Sequence, residues 1–489
     1  MIAARRDFGS FHSSNIQELL GAAKTGNYVP PSLPFDLPQF SYENGKIPPF
    51  GQDMRKKHFL LEEATTFINH GAFGSTLKDA LDVAQKWQVY IEQQPLRFYD
   101  RELFPHLVFV TKRLAEFVDY FCCISDCSPT DLVLIPNVTM AMNCVIKSQV
   151  LKQGDTVFML NVTYGAVKKL LKQVCDERGV ALQEESLEFP LFGPNQIITK
   201  LKESLQPGTK LAVFDHIPSN ASFINPLPEI IDICHQRGTK VLIDGAHTLG
   251  IMDLKLSSLG ADYYTSNCHK WLCSPKGCAF LYVKPELQNC LQPLVISHGF
   301  GFGFSSEYIW TGLKDYSAFL ALHTVLDFWE SLGLQRVRGY IKDLMSQAAS
   351  SASWSRCSEQ ARERRRHFYV KVKLNGGPLA ITLFWTYDHM LTCTKMDLLV
   401  NRWKTGLLAP KEMFGSMACV QLPEYLLKDG YANYEQAEII QNALYSQNNI
   451  EVPVKALGGK LYVRISVHIY NELEQYQKLA DAVEELTLE

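Results

Sequence analysis

No apolar run in this 489-residue chain reaches the roughly 18 residues that a membrane span requires, so no membrane association is expected. Behind Arg5 and Arg6 there is no apolar core of the secretory type, which argues against a secretory signal and leaves a mitochondrial presequence open. Neither sign of charge dominates. Lys and Arg number 48 against 51 Asp and Glu, the net charge is -3, and nothing calls for a nucleic-acid partner. The short basic run of Arg362, Arg364, Arg365 and Arg366 reads as a solvated face. The 13 cysteines form an odd, scattered set without a paired Cys-x-x-Cys. Cys122, Cys123 and Cys127 have no histidine partner at ligand spacing, so no metal site is expected. Reduced thiols suit a cytoplasmic protein.

What the chain does have is length and apolar content. At 46% hydrophobic and 20% charged residues, it reads as a two-domain globular enzyme. Pro30, Pro31, Pro34, Pro38, Pro48 and Pro49 mark the first 58 residues as an arm, either wrapped on a partner subunit or a loose tail. Helices are expected over 77–93 and 104–121. From Asp131 onward, short apolar strands alternate with helices. The strands centre near Leu132, Val157, Ala181, Ala212, Leu242, Tyr263 and Phe280. This predicts an α/β fold with a seven-stranded, mostly parallel sheet and helices on both faces. A long helix is expected over 317–332 and another over 334–352. The C-terminal part, 434–489, reads helix, strand, strand, helix, as a smaller α+β domain.

Two of these strands end on chemistry. The apolar run 240–243 ends on Asp244, and the run 262–265 leads to Lys270. A carboxylate and a lysine at neighbouring strand tips converge on the crevice where open α/β sheets bind ligands. Such a pair suits pyridoxal 5'-phosphate (PLP). A lysine captures its aldehyde as a Schiff base, and a carboxylate keeps its pyridine nitrogen protonated. The polar turn at Asn137, Val138 and Thr139 opens a helix whose first N–H groups suit a phosphate. Arg464 lies in an apolar strand over 461–466 and requires a partner, either a substrate carboxylate or a structural ion pair.

Six motifs then occur in order: Asn69-His-Gly-Ala-Phe-Gly74, Asn137-Val-Thr139, Asp244-Gly-Ala-His247, Asn267-Cys-His-Lys-Trp271, Trp310-Thr-Gly312 and Val463-Arg-Ile-Ser466. Together they resemble the class V aminotransferase family of fold-type I PLP enzymes. Within it, the chain looks most like the branch of isopenicillin N epimerases and L-cysteine desulfhydrases. The resemblance covers about residues 59–354 and resumes near 407. It implies that Lys270 carries the cofactor and moves protons, that Asp244 pairs with the pyridine nitrogen, and that His247 meets the phenolic oxygen. Thr139, Val138, Asn267 and His269 match phosphate-binding positions, and Tyr164 a position near the ring face. Thr311 and Gly312 match a segment that reaches the phosphate of the neighbouring subunit, which implies a homodimer. Arg464 matches the substrate-carboxylate arginine, and Asn69 and His70 a loop at the mouth of the site. Two local departures stand out. Asn267 occupies a position where many relatives carry a small hydroxyl residue, and Ser219-Asn-Ala-Ser222 replaces a Ser-Pro-Thr-like turn.

The expected division is an arm over 1–58, a PLP-binding large domain over 59–315, connecting helices over 316–354, an atypical insertion over 355–406 that is loop-like or disordered, and a small domain over 407–489. Ala380 to Trp385 is the one stretch of the insertion with a strand-like pattern. The activity that the resemblance implies is proton removal from the Cα of an amino acid, followed by β-elimination of a sulfur leaving group. Epimerase or aminotransferase action is the alternative, and a non-catalytic PLP-fold binding protein is a third reading. Sulfur transfer to a protein is disfavoured, because residues 297–306 contain no cysteine.

Overall fold

The computed structural model describes residues 16–25, 28–40, 47–118, 127–348, 398–427, 430 and 432–486. Seven strands form the central sheet: β1 (Leu132–Ile135), β2 (Thr156–Leu160), β3 (Ala181–Glu185), β4 (Thr209–Asp215), β5 (Lys240–Asp244), β6 (Tyr263–Asn267) and β7 (Ala279–Val283). Their order is β1-β7-β6-β5-β4-β2-β3, and all run parallel except β7. β2, β6 and β7 are buried along their whole length. Helices on both faces leave no wet side, which is why β2 and β7 read as near-continuous apolar runs rather than alternating ones. β3 closes one edge with Gln183, Glu184 and Glu185, and its charge and partial exposure discourage further pairing.

The crossover helices obey ordinary end rules. Val138–Ser148 starts on Asn137, whose side-chain oxygen accepts from the Met140 N–H at 2.9 Å. Gly165–Arg178 stops at Gly179, which takes the left-handed conformation that favours glycine (φ 64°). Because β4, β5 and β6 are adjacent and parallel, their C-terminal tips lie side by side. They deliver Asp215, Asp244 and the turn bearing Lys270 to one crevice.

The C-terminal unit carries the expected helix, strands and helix, and adds a strand before them. β8 (Met417–Gln421), β9 (Val454–Leu457) and β10 (Lys460–Ser466) form an antiparallel sheet with β10 in the middle. The Thr66–Phe67 pair lies parallel to Ile450–Glu451, so the chain entering the Asn69 loop is bound to this unit rather than to the large sheet.

Four expectations need correction. The described part of the arm packs on its own chain. Ile16–Ala23 is a helix with Ile16, Leu20 and Ala23 buried, and the Gly51 N–H donates to Ile469 O at 2.8 Å. The helix expected over 317–332 is two, Ser317–Leu320 and Leu322–Leu332, with a break at Ala321. The helix expected over 104–121 starts at Leu103, directly after a π-turn at Phe98–Glu102, and runs to Val118, the last described residue there. The last residues of the expected insertion are not loop-like. Leu398–Trp403 is a helix whose Leu398, Leu399 and Trp403 are buried, and Arg402 bridges to Asp481 and Glu484. The rest of that segment, 355–397 with its strand-like 380–385, lies outside the described residues.

Candidate active site

Lys270 follows β6 in a tight turn that several elements brace. The Cys268 and His269 N–H groups both donate to Cys278 O, at 3.0 and 3.3 Å, and the Cys273 N–H donates to Lys270 O at 3.0 Å. His70 is fully buried. Its Nε2 donates to Lys270 O at 3.0 Å, and its Nδ1 accepts from the Tyr470 hydroxyl at 2.6 Å. With both ring nitrogens committed, His70 holds the lysine turn and does not face a substrate, unlike the placement expected from the motif. Gly74 closes the same contact. At φ 67°, a side-chain carbon there would sit 2.5 Å from His269 O and 2.8 Å from Lys270 Cα. Gly74→Ala therefore strains a left-handed residue and pushes on the lysine turn, at a cost of about 1–3 kcal/mol. We expect a lowered melting temperature and at least about tenfold weaker coenzyme binding. Thermal melts and equilibrium dialysis check this, and a variant unchanged in both would remove the role assigned to the glycine.

Lys270 is half-buried, and Asp244, Arg464 and Asp215 face its amine. Burial brings its pKa down from the usual lysine range to about 8, with Arg464 pushing the same way and Asp244 and Asp215 opposing. Lys270 Nζ lies 3.4 Å from His247 Nε2. The Trp271 indole N–H donates to His247 Nδ1 at 3.2 Å, which leaves Nε2 as the protonated nitrogen of the neutral ring. Burial and the nearby Lys270 hold His247 well below the usual histidine range, so the ring is neutral. Above about pH 8, where Nζ is the free amine, Nε2–H has an acceptor in it, and that is the nucleophilic form of a lysine. Asp244 is buried at the tip of β5, with Oδ1 accepting from the Ala246 N–H at 2.9 Å.

At the phosphate end the helix N-terminus forms as expected, with one difference. Asn267 Oδ1 accepts the Val138 N–H at 3.1 Å, so that donor is already used by the chain. Asn267 is thus a tether between β6 and the helix, and Thr139 supplies the first-turn N–H and hydroxyl. His269 donates from Nδ1 to Cys278 O at 2.9 Å, which fixes its tautomer and leaves Nε2 as an acceptor when the ring is neutral. Tyr164, 44% exposed, starts the Gly165–Arg178 helix beside Asp215.

Arg464 comes from β10 in the other unit. It is buried, and no carboxylate among the described residues meets its guanidinium: Nη1 donates to Ser219 O and Ser219 Oγ at 2.7 and 3.2 Å, and Nη2 to Asn69 Oδ1 at 2.7 Å. Nε is buried without a partner. Asn69 is itself oriented by Glu451, whose Oε1 accepts from Asn69 Nδ2 at 3.0 Å. Burial lowers the Arg464 pKa to about 10. A buried cation with an idle N–H is a site prepared for an anionic ligand.

The structure thus gathers Lys270, Asp244, His247, Asn69 and Arg464 in one place, with Asn267, Val138, Thr139 and His269 along β6 and its neighbouring helix. Thr311 and Gly312 are not brought to these groups by any hydrogen bond among the described residues. Sequence reading missed Ser219, Trp271 as a partner of His247, and Asp215. The signal for Asp215 was present: 210–215 is an apolar strand ending on an aspartate, the same pattern that drew attention to Asp244.

A half-buried lysine with a lowered pKa, a buried carboxylate at the next strand tip, a helix N-terminus and an idle arginine define the site of a fold-type I PLP enzyme, and the residues fit that cofactor. The chain belongs to the class V aminotransferase family, whose model matches residues 124–377; the family is PLP-dependent. A probable chloroplastic L-cysteine desulfhydrase of Arabidopsis thaliana is 30% identical, across 85% of this chain and 82% of its own length. An isopenicillin N epimerase of Amycolatopsis lactamdurans is 24% identical, across 88% and 98%. Among solved structures, the cystine C–S lyase C-DES with its product cysteine persulfide shares the fold at TM-score 0.66 and 17% identity, across 87% of this chain and 98% of that one.

Proposed function

We propose that this enzyme is a carbon–sulfur lyase that eliminates a sulfur leaving group from the Cβ of L-cysteine or an S-substituted relative. The observation that carries this reading is the pairing of Lys270, its pKa lowered, with a buried arginine that meets no carboxylate among the described residues. The pairing accepts an α-amino acid by its two ends. The desulfhydrase similarity across most of the chain supports the choice of substrate.

PLP, when bound, supplies an electron sink for the negative charge left at Cα. The chain does the rest. Arg464 grips the substrate carboxylate through the N–H groups that Asn69 and Ser219 aim. Lys270 Nζ removes the Cα proton, and burial keeps water from competing for it. Asp244 holds the pyridine nitrogen, His247 Nε2–H faces the phenolic oxygen, and Tyr164 flanks the ring. Thr139, His269 and Asn267 hold the phosphate end. The net reaction consumes water and yields sulfide or a thiol, pyruvate and ammonia.

The working form is a homodimer in this proposal, with Thr311 and Gly312 reaching the partner's phosphate. Leu294, Val295, Ile296, Phe300, Phe302 and Leu313 support it as exposed apolar groups on either side of the Phe304–Ile309 helix. A cytoplasmic setting is supported by the described cysteines, all free thiols and nearly all buried.

Incubation with L-cysteine and PLP is expected to release sulfide and pyruvate in equal amounts. Neither product, together with Cα deuterium exchange on another amino acid, would sink the lyase reading. It would favour an epimerase, the reading that the second relative supports.

A further inference from the structure

Asp215 closes β4 beside Asp244, which closes β5. The two are register partners on adjacent parallel strands, so their side chains leave the same face of the sheet at the spacing of neighbouring strands. Both are buried, at 5% and 4% exposure. Among the described residues Asp215 Oδ2 has no hydrogen-bond partner, an arrangement that folded proteins avoid without cause. The surroundings do not supply one. Asn225 Nδ2 binds the Asp215 backbone carbonyl at 2.7 Å rather than the carboxylate, and His216 Nδ1 is engaged with the Tyr264 hydroxyl at 2.9 Å. From the Gly165–Arg178 helix, Lys168 faces the pair but is committed to Glu184, and the Tyr164 backbone N–H approaches Asp215. From the β6 turn, Lys270 faces both carboxylates, and beyond it stands Arg464.

Two buried carboxyl groups on register-paired strand tips repel each other when both are ionised, which favours a single proton on the pair. Burial, and then the neighbouring Asp244, push Asp215 well above the usual carboxylate range, with backbone N–H groups opposing. Burial pushes Asp244 up as well, but the Ala246 N–H and Lys270 oppose it, so Asp215 is the better place for the proton.

Resting on the PLP reading of the site, we propose that Asp215 is a positioning residue whose protonated carboxyl donates to Asp244, keeping Asp244 ionised so that the pyridine nitrogen of the bound coenzyme retains its proton. The physical step is simple. A donor on Asp244 makes it a weaker base, and the proton it would otherwise compete for stays on the nitrogen. The orphaned Oδ2 is then the hydroxyl end of a carboxyl group aimed at a partner whose orientation settles when the coenzyme is seated.

The test uses three forms of the full chain: wild type, Asp215→Asn and Asp215→Leu. The asparagine keeps an N–H donor without charge, whereas leucine keeps the volume and removes the donor. Coenzyme affinity is measured by equilibrium dialysis, and the pH midpoint of the bound coenzyme's visible band by titration. Expected are near-wild-type values for Asp215→Asn. Asp215→Leu is expected to bind at least tenfold more weakly, with a midpoint moved upward. The upward direction follows because loss of positive charge on the ring makes the nitrogen linked to Lys270 more basic. A purely structural role would lower the melting temperature of Asp215→Leu and leave the midpoint in place, and that result overturns the proposal. So does an Asp215→Asn variant as defective as Asp215→Leu, which would mean that an ionised Asp215 is required. A wild type that binds no PLP would instead overturn the reading of the site itself, and the proposal with it.

Discussion

Lys270→Ala is expected to lose at least about 10³-fold in turnover and the violet absorbance of the PLP-loaded protein together. General acid–base catalysis by a positioned side chain contributes about 10²–10⁴-fold on its own, and this lysine also tethers the cofactor. The substitution removes a side chain that no other residue can replace: His247 is neutral and faces Nζ with a proton, and His70 is committed on both nitrogens. The fold itself should survive, because the turn is held by backbone bonds to Cys278 and by Gly74 packing rather than by the amine. The pH dependence has a definite sign. Lys270 titrates at about 8 in the folded chain against 10.5 in its ordinary state. The amine is therefore available above about pH 8 and lost below it, and coenzyme capture by the apoprotein should speed up as pH rises through that value. Between the two values the unfolded chain binds the extra proton, so the apoprotein also gains stability from this group as pH rises. Stopped-flow capture of PLP at several pH values reads the midpoint. Capture that ignores pH over that interval, or a Lys270→Ala protein that keeps both band and turnover, would remove Lys270 from its role.

Arg464→Ala is the second large effect. A charge-assisted hydrogen bond is worth about 1.5–3 kcal/mol, so loss of the fork should raise KM for L-cysteine by about 10–100-fold. Arg464→Lys should recover little of this, since an ammonium cannot match a carboxylate at two points while also satisfying Asn69 and Ser219. The control is cysteamine, which lacks the carboxylate. Wild type and variant should handle it alike, each poorly, and the gap between L-cysteine and cysteamine should shrink in the variant. If Arg464→Ala slowed both compounds equally, the arginine would be a structural element of β10 and not a substrate anchor.

Most of the seven strands were legible because they are buried on both faces and carry a short apolar run, whereas the edge strand β3 is partly exposed and was marked by its place in the strand–helix alternation. Strand ends were nearly right because a polar residue such as Asp215 or Asp244 marks where the apolar run stops, although the residue itself stays buried. The short elements were not. The helix break at Ala321 has no proline or glycine to announce it, and Leu398–Trp403 is held by distant partners, Asp481 and Glu484, that no local pattern reveals. The described arm residues bury Ile16 and Leu20 against their own chain despite a proline-rich stretch that reads as loose.

For the site, the sequence by itself determined the chemical inventory: a lysine and an aspartate at strand tips, a helix N-terminus with a threonine, and an arginine inside an apolar strand. These are local properties, set by alternation, burial and end signals over a few residues. Only the tertiary structure decided what each group faces. It turned His70 inward onto the Lys270 backbone, assigned the Val138 N–H to Asn267, left Arg464 without a carboxylate, and set Asp215 beside Asp244 by strand register. The reason is physical. A proton's location and a cation's compensation depend on neighbours within a few ångströms, and in a parallel sheet those neighbours come from strands that a whole crossover separates along the chain.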